Sequence, residues 1–271
     1  MTAIRSPRRR RLLALAAAIA ALLALPLGAA PALAADQLPS VARYVALGDS
    51  YAAGQGAGGY VDSCLVSPLG YPGLLDAQPR ISLLREPACS GATIGDVTAT
   101  QLDQVNRGTT LVTITAGAND LGIGQVYAAC APDPTSAGCA QAVSTALTAV
   151  PTIGPKMSGL IAAVHTRAPD ARIVVTGYPR PYADAAAAML PVAGLVDTAA
   201  DELDAQLAGA VQAQASGGVS VAFAAVSFGE HAIGGSAVPW IGGDPTDPVT
   251  FFHPTAAGYA AYRDAVLAVL P

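Results

Sequence analysis

Arg43-Tyr44-Val45-Ala46-Leu47-Gly48-Asp49-Ser50-Tyr51 is a short apolar run that stops at a glycine and then delivers a polar pair. The run is continuous rather than alternating, as expected of a strand covered on both faces. Leu111 to Thr115 (LVTIT) repeats the pattern and ends at Ala116-Gly117, and Arg172 to Thr176 (RIVVT) ends at Gly177. Val219 to Val226 is a fourth run, and Ile81 to Leu84 is a weaker candidate. Helical patterns lie between the runs. Gly138 to Ala168 is long and alanine-rich, and Pro151 and Pro155 inside it predict two helices. Pro191 to Ala215 sets Leu195, Ala199, Leu203, Leu207 and Val211 at four-residue spacing. Pro254 to Leu270 predicts a terminal helix with proline at its start. Strands alternating with helices predict an α/β protein, a parallel sheet with helices on both faces. Sites in such sheets gather at the carboxyl ends of the strands.

The rest of the chain bounds where this domain works. Of 271 residues, 52% are hydrophobic and 12% charged, which excludes disorder. No long-period repeat suggests a solenoid or propeller. Arg5 and Arg8 to Arg11 precede an uncharged run, Leu12 to Leu25, and Ala32-Leu33-Ala34 reads as a cleavage site. Residues 1–34 are therefore expected to be a secretory signal peptide and 35–271 a single domain. The rival reading is a membrane anchor, but the run is shorter than the ~20 residues a span needs. The paired arginines leave general and twin-arginine export both open. Cleavage removes five of the fourteen basic residues and none of the nineteen acids, leaving a net charge of about −10. With one lysine, Lys156, and no basic patch, nucleic acid is a poor partner.

Cys64, Cys89, Cys130 and Cys139 all follow the signal. In an exported protein they predict two disulfides. Cys64–Cys89 and Cys130–Cys139 are favoured because each closes a local loop. A zinc site is the weaker alternative, because the cysteines form no CxxC pair.

Ser50, on the turn after the first strand, is a candidate nucleophile, and it needs a base within hydrogen-bond reach. Only three histidines exist. His165 sits in a helical pattern and His231 in a glycine-rich loop. His253, just before the last helix, can deliver a ring to the same sheet edge as Ser50, so elimination favours it. Gly117-Ala118-Asn119-Asp120 supplies an amide after the second strong strand, and Cys89-Ser90-Gly91-Ala92 offers a main-chain N–H in a tight turn. Two decoys fail. Gly54-Gln55-Gly56-Ala57-Gly58-Gly59 matches G-x-G-x-x-G but stands too far from its strand, and reads better as a flexible loop beside the substrate. A G-x-S-x-G elbow would need glycine where Ala52 stands.

In this order, Gly48-Asp49-Ser50, Ser90-Gly91-Ala92, Gly117-Ala118-Asn119-Asp120 and His253-Pro254 resemble the four blocks of the SGNH (GDSL) hydrolases. Gly177-Tyr178-Pro179-Arg180, His253 to Gly258, and Phe228 with His231 and Trp240 are similar to the exported bacterial lipase, phospholipase and esterase branch. The resemblance spans Arg43 to Tyr262. It implies a three-layer α/β/α sandwich on a five-stranded parallel sheet, and hydrolysis of carboxylic esters through an acyl-enzyme. Ser50 would attack, and His253 would move the proton. The N–H groups of Ser50 and Gly91 and the amide of Asn119 would hold the oxyanion. No cofactor or metal is implied.

Two departures stand out. Most of the family has an aspartate three residues before the histidine, where this chain has Thr250. A main-chain carbonyl, of Thr250 or Phe251, would then orient His253, with Asp247 and Asp244 as rivals. The branch commonly has three disulfides, and Gly234 or Ser236 stands near the place of a fifth cysteine, which leaves the His231 loop less pinned. The expected partner is a small or lipid ester, with transient contact to a lipid surface and a monomeric, secreted protein. A carbohydrate acetyl-esterase, and more distantly a non-catalytic binding protein on the same fold, are the competing readings.

Overall fold

β1 (Ala42–Gly48) is the strand on which the sheet is built. The computed structural model describes residues 41–271, so the predicted signal peptide and its cleavage site lie outside the described residues. β1 pairs in parallel with β2 (Ile81–Arg85) on one side and with β3 (Leu111–Thr115) on the other. β4 (Arg172–Thr176) and β5 (Val221–Ala224) continue outward from β3, giving the order β2-β1-β3-β4-β5. The chain turns to the opposite side of β1 between β2 and β3. The crevice at the carboxyl ends of β1 and β3 is therefore the topological switch point, where ligands bind in open α/β sheets.

Every residue of β3 is buried, two threonines included. Their hydroxyls are satisfied inside: Thr113 Oγ1 lies 2.6 Å from the Tyr44 hydroxyl, and Thr115 Oγ1 lies 2.6 Å from Thr176 Oγ1. Ile81 to Leu84, the weakest of the sequence candidates, is the edge strand β2. Its Leu84 is exposed, which explains its weak signal.

The helices of the frame begin with α1 (Ser50–Ala53), α2 (Tyr71–Asp76), α3 (Ala118–Leu121), α4 (Ile123–Cys130) and α5 (Ala137–Arg167). α6 (Asp184–Met189), α7 (Pro191–Ser216) and α8 (Ala256–Ala268) follow β4 and β5. α5 packs on α7, and α2 on α8, so each face of the sheet carries a helical layer.

Three helical expectations need correction. The segment with Pro151 and Pro155 is one helix, not two. Each proline deprives a carbonyl four residues earlier of its partner, those of Leu147 and Pro151. Both residues are exposed, so water can take the freed carbonyls, while Ile153, Met157, Leu160 and Ile161 on the other face are locked in the core. The four-residue stripe of α7 drifts by ~40° per step. Leu203, Leu207 and Val211 are buried, but Leu195 has turned out to the surface. The last helix starts at Ala256 rather than Pro254, because the Thr255 side chain accepts from Gly258 N–H as its N-cap.

Both expected disulfides are present. Cys64–Cys89 joins the loop after α1 to the turn that carries Gly91, and Cys130–Cys139 joins α4 to the first turns of α5.

Candidate active site

β1 ends where Gly48 adopts φ +142, and a side chain there would run into the carbonyl of Thr115. Only glycine permits this close approach to β3. Asp49 follows in an extended conformation and caps α1 by accepting the Tyr51 N–H at 3.0 Å. Its other carboxylate oxygen accepts from the Tyr178 hydroxyl. Burial pushes the Asp49 carboxyl up to about 7, with these hydrogen bonds pulling the other way. The result is that Ser50 opens α1 at the sheet edge, and as the first helical residue its N–H has no acceptor within the helix.

His253 arrives from the opposite end of the chain. Its Nε2 lies 2.9 Å from Ser50 Oγ. The loop that presents it is wound tightly: Phe252 adopts φ +59, and the main-chain N–H of His253 donates to Thr250 O at 2.9 Å. The main chain of Phe251 acts on the ring in the sense that favours its protonated form. Of the two expected carbonyls, that of Thr250 is taken by the main-chain N–H of His253. A proton on Nδ1 leaves the Nε2 lone pair facing the serine. Burial pushes the imidazole down to about 4, and the Phe251 carbonyl opposes that only in part, so the ring is neutral at pH 7. The rival carboxylates fold back into their own turns. Asp247 accepts from the hydroxyl and N–H of Thr250, and Asp244 from those of Thr246.

Gly91 adopts φ +83 and is exposed in its turn, one residue after Ser90. The Asn119 amide, in α3, donates to Ala92 O at 3.0 Å, which fastens it to that same turn. Asp120 strengthens the joint by accepting from Ile94 N–H at 2.8 Å and from Lys156 at 2.9 Å. Ser50, Asn119 and His253 thus line one crevice, and Gly91 lies in the turn to which Asn119 is fastened. His231 is not among them: it stacks on Trp240 at 3.8 Å, and its Nδ1 lies 2.7 Å from the carbonyl oxygen of Val238. Glu230 closes that loop by accepting from Ser236, close to the site of the missing cysteine. His165 sits near the end of α5 that leads into the start of β4, at the opposite edge of the sheet.

The crevice opens into a cleft of about 620 Å³. Its lining joins Ser50, Asn119 and His253 with Ile123, Tyr127, Pro132, Phe251 and other apolar residues. Asp49 is the one acid or base in the lining besides His253, and it is turned to Tyr178. Such a site can hold an uncharged, extended group against a serine.

Sequence reading missed Gln55. The glycine-rich loop around it is not a flexible rim. Gly54 and Gln55 are buried, and Gly56, at φ +95, leaves no room for a side chain against Pro254 and His253. A lone long polar residue between glycines that must pack was the one available signal.

The GDSL-like lipase/acylhydrolase family model matches residues 46–261. Lipase 1 of Streptomyces coelicolor is 36% identical over 244 residues, covering 85% of this chain and 87% of that protein. The crystal structure of an extracellular lipase from Streptomyces rimosus superposes with a TM-score of 0.74 at 33% identity, over 84% of this chain and 99% of that one. Phospholipase A1 from Streptomyces albidoflavus superposes with a TM-score of 0.75 at 31% identity, with the same coverage. On this breadth of likeness, laid over a serine and a histidine that meet at the switch point of the sheet, the chain belongs to the GDSL-like lipase/acylhydrolase family and is a carboxylic ester hydrolase.

Proposed function

We propose that the protein is a secreted hydrolase of acyl esters that works through a Ser50–His253 dyad. The observation that carries this reading is the 2.9 Å contact of His253 Nε2 with Ser50 Oγ beside an apolar cleft. Ser50 Oγ attacks the ester carbonyl while its proton passes to Nε2. The carbonyl oxygen becomes an oxyanion, held by the N–H groups of Ser50 and Gly91 and by the second amide hydrogen of Asn119. Collapse expels the alcohol, which takes the proton from His253 and leaves an acyl-serine. Water then repeats the sequence, giving its proton to His253 and releasing the acid. The Phe251 carbonyl stabilises the imidazolium that forms twice in each cycle, the part an aspartate plays in a triad.

The apolar lining favours an acyl chain over a sugar, which needs polar partners along its length. The surface next to the cleft supports a lipid substrate as well. Pro134 to Pro155 and Ala185 to Val196 are free of charge. They put Leu147, Met189, Leu190 and Leu195 on the outside of the molecule, and Leu147, Leu195 and Pro134 line one shallow trough beside the cleft. Such a patch fits brief contact with an uncharged lipid surface. Export fits the two disulfides, the arginine-led N-terminus and the extracellular lipase among the relatives.

Labelling with a fluorophosphonate probe, followed by peptide mapping, tests the assignment. The adduct is expected on Ser50 and is lost in His253→Ala. A folded protein that takes no label would instead support the binding-protein reading.

A further inference from the structure

The side-chain amide of Gln55 touches both the Gly91 turn and the loop that presents His253. Its Oε1 accepts from the Ser90 hydroxyl at 2.5 Å, next to Gly91. Its Nε2 donates to Val249 O at 2.9 Å, in the loop that presents His253, and lies 3.3 Å from His253 Nδ1. The Val249 carbonyl beside Nε2 favours this orientation of the amide. The main chain of Gln55 is equally fixed. Its N–H donates to Ser50 O at 3.0 Å, and its carbonyl accepts from the Tyr259 hydroxyl at 2.6 Å. Gln55 is only 5% exposed, so its bonds are made away from solvent.

From these contacts we infer that Gln55 is a positioning residue, setting the oxyanion turn at Gly91 and the histidine loop in register with the serine. The inference rests on the Ser50–His253 reading and extends it. Among the described residues, the Gln55 side chain hydrogen-bonds both Ser90 and the residue 247–253 loop. The two loops come from distant parts of the chain, and neither is covalently tied to the other: the Cys64–Cys89 disulfide anchors only the oxyanion side. The Nε2–Nδ1 contact adds a chemical constraint. At 3.3 Å it sets the Gln55 amide against the ring itself as well as against the loop that carries it. Gln55 is not itself among the residues that line the cleft, so it acts through the groups it holds.

The test is a double-mutant cycle on the mature protein with p-nitrophenyl butyrate, using Gln55→Met and Ser90→Ala, with Ser50→Ala as control. A displacement of the reacting groups near 1 Å can cost about 100-fold, so Gln55→Met is expected to lower kcat about 10- to 100-fold with KM changed less than about twofold. Ser90→Ala should lower kcat about three- to tenfold, and the double variant should be no slower than Gln55→Met alone, because both remove the same link. Ser90→Ala is a small change at the surface of a disulfide-held turn, so it keeps the test valid if Gln55→Met folds poorly. Multiplicative losses, an effect confined to KM, or no loss at all would overturn the inference. Full activity in Ser50→Ala would instead overturn the reading it rests on.

Discussion

The Tyr51 hydroxyl, one residue after the serine, donates to the carbonyl of Phe252, one residue before the histidine. The bond holds the far side of the loop that Gln55 holds from the other. It also secures a residue in the left-handed region, at φ +59, which costs a bulky side chain on the order of 1–3 kcal/mol. The Phe252 ring adds its own anchorage by meeting Tyr127 and Tyr182 edge-on at 5.1 and 5.8 Å. Tyr51→Phe keeps the ring packing and removes the hydrogen bond alone. It should lower kcat/KM about tenfold, the value of a net hydrogen bond of about 1.4 kcal/mol. Steady-state kinetics on a soluble ester checks this, and an unchanged rate would show that packing alone holds the loop.

The depressed histidine fixes the acid limb of the rate. His253 must be neutral to accept the serine proton, and burial has pushed its pKa down to about 4. The kcat/KM profile should therefore hold its plateau well below pH 6 and fall only near pH 4. A limb near the ordinary histidine value of 6.5 would mean that the ring is better solvated than its burial indicates.

Glu86 predicts a loss of stability as the pH rises. Its Oε1 is buried without a hydrogen-bond partner, and burial, with Asp62 and Asp76 adding to it, pushes the carboxyl up to about 8. The folded protein keeps this proton where the unfolded chain, near 4.5, has lost it. Its contribution is thus complete below about pH 4 and is lost as pH rises toward 8. Glu86→Gln should lose less Tm between pH 5 and pH 9 than the parent, as calorimetry would show. Equal losses would contradict the assignment.

How much of this was readable beforehand depended on whether the signal was local. β1, β3 and β4 are buried on both faces, so their runs are continuous and each ends at or beside glycine. That is why Ser50 and Asn119 could be found at strand ends. The histidine followed from there being only three to choose from. Pro151 and Pro155 misled because proline is a local breaker, whereas the fate of α5 was set by what its opposite face buries. Gln55 was invisible for the same reason. Its value lies in Ser90, Val249 and His253, which the chain brings to it from 35 to 198 residues away.

The short loop closed by Cys130–Cys139 borders the apolar end of the cleft, where Ala131 and Pro132 line the wall. Replacing both cysteines by alanine should cost about 2–3 kcal/mol of stability. Activity should fall more on long-chain than on acetyl esters, because the dyad is anchored elsewhere. Denaturant melts and a chain-length series read the two effects separately, and an equal loss on all esters would contradict the placement of the acyl chain.

The uncharged surface carries its own test. Leu147→Glu with Met189→Glu should reduce hydrolysis of aggregated long-chain esters about tenfold or more, the order expected from losing two apolar contacts of about 1 kcal/mol each. Monomeric p-nitrophenyl acetate should be hydrolysed as before. Parallel losses on both substrates would remove the lipid-surface contact from the account.

The most direct test of the central claim is hydrolysis of p-nitrophenyl esters, from acetyl to palmitoyl, by the mature protein and by Ser50→Ala. The account predicts activity that extends to long acyl chains and vanishes in the variant. Activity that survives in Ser50→Ala, or a folded, disulfide-intact protein that hydrolyses none of the series, would contradict it.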